Sequence, residues 1–356
     1  MNHDVYGIEE EFHSRGERKR CRKERQVATS TDRSKFKKTD QNLHKKKIPS
    51  LENLKRGQVI AILSEGILVD AEGAHTLCSL KGTLKQENSL VKNLVAVGDF
   101  VHFSEAGSIA HVEERRSILS RADNLSRKKQ QLIAVNIDQV LITASLCFPA
   151  LKPFLVDRYI IAARKGNMDP IVVVNKVDLF SEAAEEEKML YLEFVKAYGA
   201  LGIPIICVST TTGEGFEALK TVMHQKTSVF SGQSGVGKSS LINAVTGTRQ
   251  SVGELVERTN KGSHTTTTTH LLPVEGGGFC IDTPGIKSFG VWDLTKEDVI
   301  GYFPEMQGEC KYPDCRHSQE PGCVIPKKVE NQEISPLRFA SYLALMASIS
   351  QEHRNR

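Results

Sequence analysis

Residues 232–239 read Gly-Gln-Ser-Gly-Val-Gly-Lys-Ser, a glycine-rich stretch that ends on a lysine and a hydroxyl. The pattern G-x-x-x-x-G-K-[ST] is suited to phosphate. Its glycines let successive backbone N–H groups turn inward, and a helix beginning at the lysine adds a dipole end that favours negative charge. The apolar run Ser228–Ser231 precedes it and SLINAVTG follows, the strand and helix that such a loop needs. Gly232, Gln233, Ser234, Gly235, Val236, Gly237 and Ser240 are therefore expected to line a nucleotide's phosphates. Lys238 would reach the β and γ phosphates, and Ser239 would hold Mg²⁺.

A second segment bears on the base. Asn175-Lys176-Val177-Asp178 follows the apolar run PIVVV, at a strand's carboxyl end. An ionised Asp178 accepts hydrogen bonds from the N1 and exocyclic amino donors of guanine, which adenine does not offer there. Adenine would leave a desolvated carboxylate unpaired, a cost of about 1–3 kcal/mol. Ser209 and Thr210 end the next apolar run, where a loop would brace the base. Asp282-Thr283-Pro284-Gly285 follows GFCI. That spacing suits Asp282 to orient Mg²⁺ and the Gly285 amide to sense a γ-phosphate. Ras-like nucleotide switches place the phosphate loop first and NKxD near the end. Here NKVD and the Ser209-Thr210 strand end precede the loop and DTPG, so the order is circularly permuted, which a fold with neighbouring termini tolerates.

A third cluster differs in kind. Cys310, Cys315, His317 and Cys323 offer three thiolates and an imidazole within 14 residues. That is a complete tetrahedral set for one structural Zn²⁺, and softness favours zinc over Mg²⁺ or Ca²⁺. The other cysteines of the eight are scattered.

These segments need elements to hold them. Between Lys55 and Ser120 short apolar runs alternate with turn residues (GQVIAIL, GILVDAEG, HTLCSL, VGDFVHF, IAHVEE), the spacing of a small β-barrel. From Asp138 onward, runs such as DQVLITASL and PIVVVN alternate with the helical stretches PFLVDRYIIAARKG and EEKMLYLEFVKAYG, which Gly166 and Gly199 are placed to cap. This alternation implies a mainly parallel sheet covered on both faces. Helix starts are read at Thr295 and before Pro336. The expected organisation is a basic, unstructured extension over 1–50, a barrel over 51–118, an α/β domain over 119–291 and a helical zinc-binding domain over 292–356. At 39% apolar and 25% charged residues the composition is that of a globular protein. The net charge of +4 is uneven: residues 1–50 carry +6 and the remainder −2, so the tail is the part suited to polyanions. No apolar run is long enough to span a bilayer and no secretory leader is evident, so a cytoplasmic location with no membrane contact is expected.

The combination of barrel, NKVD, GQSGVGKSS, KGSHTTT, DTPG and Cys₃His resembles the RsgA (YjeQ) family over about residues 55–350. The resemblance implies a multidomain α/β protein with an N-terminal OB-like barrel, a permuted Ras-like P-loop GTPase domain and a C-terminal zinc domain. It further implies hydrolysis of GTP to GDP and phosphate, stimulated by the small ribosomal subunit during its late maturation. GTP, Mg²⁺ and Zn²⁺ are the implied ligands, and the small subunit and its rRNA the partners, with a monomer expected. A switch I magnesium ligand lies among Thr265–Thr269. Ile286 stands where Ras-like enzymes carry the glutamine that orients water. His264 is the candidate replacement as a catalytic residue beside Lys238, or else a switch-loop residue contacting RNA or solvent. Two other readings remain: an RNA-binding module using GTP and GDP as a switch with little hydrolysis, and a P-loop ATPase or small-molecule kinase, which NKVD disfavours.

Overall fold

The computed structural model describes residues 53–80, 94–122, 130–247, 269–282, 295–318 and 320–354. The basic extension over 1–50, His264, Thr265 to Thr268, Gly285 and Ile286 lie outside them.

Alternation of apolar residues builds the first domain. In β1 (Lys55–Ile62), β2 (Ile67–Ala71), β3 (Ala74–Leu80), β4 (Phe100–Phe103) and β5 (Ser108–Val112), every second side chain turns inward. Val59, Ile67, Val69, Cys78, Val101, Phe103 and Ile109 form one core. The strand order β1-β2-β3-β5-β4 returns to β1 through the β1–β4 pairing, which closes the barrel. β1 has a second role. Its pairing with β2 shifts register between Val59 and Ala61, and Ala61 pairs with His270 of β12 (His270–Pro273). The barrel wall thus runs into the α/β sheet.

A hairpin that the apolar pattern did not signal follows, β6 (Ile118–Ala122) with β7 (Gln130–Val135). It buries Leu119, Leu132, Ala134 and Val135, and side-chain bonds hold its exit: Asn136 Oδ1 accepts from Arg116 N, and Asn136 Nδ2 donates to Gly98 O, both at 2.9 Å.

The central sheet contains β8 (Gln139–Ser145), β9 (Asp169–Asn175), β10 (Ile205–Cys207), β11 (Thr227–Gly232), β12 and β13 (Phe279–Asp282) in the order β10-β9-β8-β11-β13-β12. All pairings are parallel except β12 with β13. Alternation again assigns the faces. Val140, Ile142, Val172, Val174 and Val229 pack with α1 (Pro153–Lys165) and α2 (Glu185–Ala200). Leu141, Ile171, Val173 and Phe230 face α3 (Phe216–Met223) and α4 (Lys238–Thr246). Because both faces are covered, β8 is buried at every position and reads as a continuous apolar run rather than an alternating one.

Of the two expected glycine caps, Gly166 ends α1, its N–H donating to Ala162 O at 3.0 Å, and Gly199 does not end α2. Gly166 has φ −83° and Asn167 takes the left-handed turn at φ 59°. A Cβ on Gly166 would lie 2.5 Å from Met168 Cε and 2.6 Å from Ile118 O, so close packing rather than φ requires glycine there. α2 runs through Gly199 to Ala200, and the left-handed residue is Gly202 at φ 68°.

The C-terminal region contributes α5 (Lys296–Gly301), α6 (Ile325–Glu330) and α7 (Pro336–Arg354). α7 packs on α1 across a buried ionic cluster. Asp157 of α1 accepts hydrogen bonds from Arg338, from the Ser341 hydroxyl and, at 2.8 Å, from Tyr198 Oη. Arg338 Nε also donates to Glu305 at 2.7 Å, and its guanidinium lies 4.3 Å from the Phe303 ring centroid. Burial opposes the charge on Arg338, yet Asp157, Tyr198 and Glu305 raise its pKa above the ordinary value. Among the described residues no helix is long and apolar enough to cross a membrane.

Candidate nucleotide-binding site and metal centre

The parallel order brings the carboxyl ends of β8, β9, β10, β11 and β13 to one edge. From β8 the chain proceeds outward through β9 to β10, and from β11 it proceeds the other way through β13. β8 and β11 are therefore neighbours whose following helices, α1 and α4, lie on opposite faces. The loops after such a pair diverge and leave a crevice, the place where open α/β sheets bind ligands. The phosphate loop, Gly232 to Ser239, forms one lip.

Two glycines there are required by close approach. A Cβ on Gly232 would lie 2.0 Å from Thr143 O, because Gly232 is in register with Thr143 on β8. Gly237, at φ 97°, would place a Cβ 2.3 Å from Asn175 Nδ2. That amide is occupied: it donates to Val236 O at 2.9 Å, and Asn175 is fully buried at the end of β9. Asn175 thus ties the NKVD segment to the phosphate loop. Lys176, in the left-handed region at φ 65°, donates its ammonium to Gly235 O at 3.0 Å and to the Phe148 carbonyl. Val177 and Asp178 open a short 3₁₀ turn, Val177–Ser181, and Val177 N donates to Val208 O at 3.3 Å, which sets this loop beside the end of β10.

Lys238 starts α4, and its Nζ donates to Gly232 O at 2.8 Å and Gln233 O at 2.7 Å, so the ammonium is held over its own loop. Burial lowers its pKa by disfavouring the charged ammonium, a cost that an anion in the same place would offset. Ser234, Gly235, Ser239 and Ser240 are exposed around it, whereas Val236 is buried as the loop's anchor. Ser209 is fully buried, and its hydroxyl accepts from Thr211 N at 3.2 Å and Thr212 N at 3.0 Å. It shapes the loop rather than facing outward, and Thr210 is exposed. Asp282 ends β13 in register with His270 and next to β11 in the sheet order.

The sequence reading named the residues of this edge but missed the loop after β8. Phe148 supplies a main-chain acceptor to Lys176, and a main-chain atom leaves no signature in residue types. It also missed the Asp157 cluster, for which an aspartate inside the apolar helix PFLVDRYII was an available signal.

The zinc candidates converge. The ligand atoms of Cys310, Cys315, His317 and Cys323 all lie within 4.8 Å of one another. Cys310 Sγ is 3.9 Å from Cys323 Sγ and 3.4 Å from His317 Nδ1, and Cys323 Sγ is 3.5 Å from His317 Nδ1. A tetrahedron with metal–sulfur bonds of ~2.3 Å and metal–nitrogen bonds of ~2.0 Å has edges of roughly 3.5–3.8 Å, so the set fits a Zn²⁺ ion. Burial lowers the His317 pKa, which keeps the imidazole a neutral ligand, and pushes the Cys323 thiol up to about 12. A bound metal therefore displaces protons from the thiols. Glu320 braces the knuckle by accepting from Ser318 N at 2.8 Å and Arg316 N at 3.2 Å, and Tyr342 Oη of α7 donates to Arg316 O at 2.5 Å.

Comparison with known proteins agrees with this architecture. The profile of the RsgA GTPase family matches residues 112–292. The chain is 37% identical to a Bacteroides fragilis protein named small ribosomal subunit biogenesis GTPase RsgA, over 77% of this chain and 90% of that one. It is 38% identical to a Chlorobaculum parvum protein of the same name, over 80% and 94%. The crystal structure of YjeQ from Thermotoga maritima superposes with a TM-score of 0.65 at 31% identity, covering 83% of this chain and 98% of that one. YloQ, described as a circularly permuted GTPase, gives 0.63 at 26%, covering 85% and 98%.

Proposed function

The chain belongs to the RsgA GTPase family, and on that premise we propose that it hydrolyses GTP to GDP and phosphate under stimulation by the small ribosomal subunit, acting late in that subunit's maturation. The observation that carries this reading is the hydrogen-bonded cluster at the sheet's carboxyl edge. Asn175 and Lys176 of the guanine-selecting segment are bonded directly to carbonyls of the Lys238 phosphate loop. One site then reads the base and grips the phosphates.

Roles follow from position. Asp178 reads the guanine edge, and Ser209 and Thr210 form the loop beside it. The amides from Gly232 to Ser240, together with Lys238, neutralise the phosphates. Ser239, one threonine of Thr265–Thr269 and Asp282 manage Mg²⁺, with the Gly285 amide at the γ-phosphate. His264 orients the attacking water in place of the glutamine that Ile286 does not supply. The barrel over 51–118 and the basic extension over 1–50 contact rRNA, the domain over 119–291 turns over nucleotide, and 292–356 is shaped by one Zn²⁺. The protein works in the cytoplasm, as a monomer.

The test is GTP turnover by the full chain with and without purified small subunits at fixed moderate salt. Strong stimulation is expected. Absence of stimulation with nucleotide binding intact would replace this reading with that of an RNA-binding switch.

A further inference from the structure

The crevice has a second lip, the loop between β8 and α1. It begins beside β9, where Leu146 N donates to Asn175 O at 3.1 Å, and the Ser145 hydroxyl then holds Pro149 O at 2.6 Å. Pro149 Cδ lies 3.5 Å from the position a Cβ would take on Gly235, so this loop touches the phosphate loop. Phe148, between these anchors, is 74% exposed, the most exposed large apolar side chain among the described residues. Its backbone has φ 46°, a conformation unfavourable for a bulky residue. Six residues on, Phe154 is also exposed at 38%. Between them Lys152 is exposed, and the first turn of α1 holds no carboxylate to neutralise it. The nearest acid along the helix, Asp157, is buried and committed to Arg338.

Two outward aromatic rings flanking a lysine that forms no ion pair among the described residues suit single-stranded nucleic acid. Unpaired bases stack on such rings whatever their sequence, and the cation meets the backbone phosphate. We propose that the Phe148–Phe154 loop is an RNA-docking lip of the nucleotide crevice, with an unpaired base stacked on Phe148 and its phosphate held by Lys152. The proposal rests on the reading that this chain acts on small-subunit RNA, and it names the place where that RNA reaches the nucleotide site. The Phe148 carbonyl accepts from the Lys176 ammonium, which also donates to Gly235 O. A base that fixes Phe148 thereby fixes Lys176 and the phosphate loop, which gives the RNA a short path to the turnover rate.

Two measurements on the full chain test it. In the first, a photo-crosslinking amino acid replaces Phe148, and the chain is irradiated on purified small subunits. Crosslinks to rRNA are expected. Crosslinks to a ribosomal protein, or none while the chain remains bound, would overturn the proposal. In the second, Lys152→Glu with Phe154→Ser should leave subunit-free turnover unchanged and weaken subunit affinity, and Phe148→Ala should weaken that affinity ~5- to 150-fold, as loss of one stacked base does. Phe148→Ala should lower the ratio of stimulated to basal rate and Phe148→Trp should restore it. Unchanged affinity and ratio in all three variants would refute the docking lip. A parent chain that neither binds nor responds to small subunits would instead defeat the functional reading itself, and the lip with it.

Discussion

Replacing Gly237 by alanine should abolish tight guanine nucleotide binding while leaving the fold in place. The residue sits at φ 97°, where an L side chain is strained by about 1–2 kcal/mol. Its new methyl would fall 2.3 Å from Asn175 Nδ2, so one of the two must move. Asn175 is fully buried, and moving it breaks the 2.9 Å bond to Val236 O, which costs about 1–3 kcal/mol. The sum, about 2–5 kcal/mol, corresponds to a ~30- to ~4,000-fold loss of affinity if the bound state demands the present loop conformation. Titration of a fluorescent guanine nucleotide into the variant measures it, and circular dichroism checks the fold. The clash also predicts non-additivity: Asn175→Ala removes the obstacle, so the Gly237→Ala/Asn175→Ala double variant should bind no worse than Gly237→Ala alone. Affinity of Gly237→Ala within threefold of the parent would refute the argument that Asn175 packs the loop into its binding form.

Asp178→Ala should erase most of the preference for GTP over ATP, a change of ~10-fold or more from the lost pairing, read by competition between the two nucleotides; retained preference would remove Asp178 from base recognition. Arg338→Met leaves Asp157 buried without its cation and should cost about 3–5 kcal/mol in chemical denaturation, whereas pairing it with Asp157→Leu should recover much of the loss; a cost below about 1 kcal/mol would mean that the cluster does not anchor α7 on α1. Cys315→Ser or a strong chelator should remove one equivalent of zinc and loosen the segment from Cys310 to Cys323, followed by metal analysis and proteolysis. Because burial holds the His317 pKa below its ordinary 6.5, the folded knuckle resists a proton that the unfolded chain accepts. Its contribution to stability is therefore present above about pH 6.5 and falls as the pH drops toward the folded-state value, and zinc affinity falls with it. Zinc retention independent of pH between 7 and 5 would contradict that linkage.

Much of this protein was legible in its residues because the relevant contacts are local. A phosphate cradle is built from consecutive amides, so GQSGVGKS can be recognised in the residues themselves, and four soft ligands within a short stretch can gather, so Cys310, Cys315, His317 and Cys323 converge as their spacing suggests. The permuted order of NKVD, phosphate loop and DTPG was equally visible, as was the change from barrel to α/β alternation. The hairpin β6–β7 was not, since its buried residues, Leu119, Leu132, Ala134 and Val135, keep no regular alternation and its register shifts between Leu119 and Ser120. Nor was the end of α2, which runs through Gly199 and leaves the left-handed turn to Gly202. Tertiary structure alone decided the contacts between distant segments. Asn175 meets Val236 and Lys176 meets Phe148 and Gly235 only because β8 lies between β9 and β11. Arg338 reaches Asp157 across 181 residues, and Ala61 of the barrel pairs with His270 of the central sheet. Strand order and helix packing fix such meetings. They are set by the burial of apolar surface over the whole chain, which the spacing within a single motif does not encode.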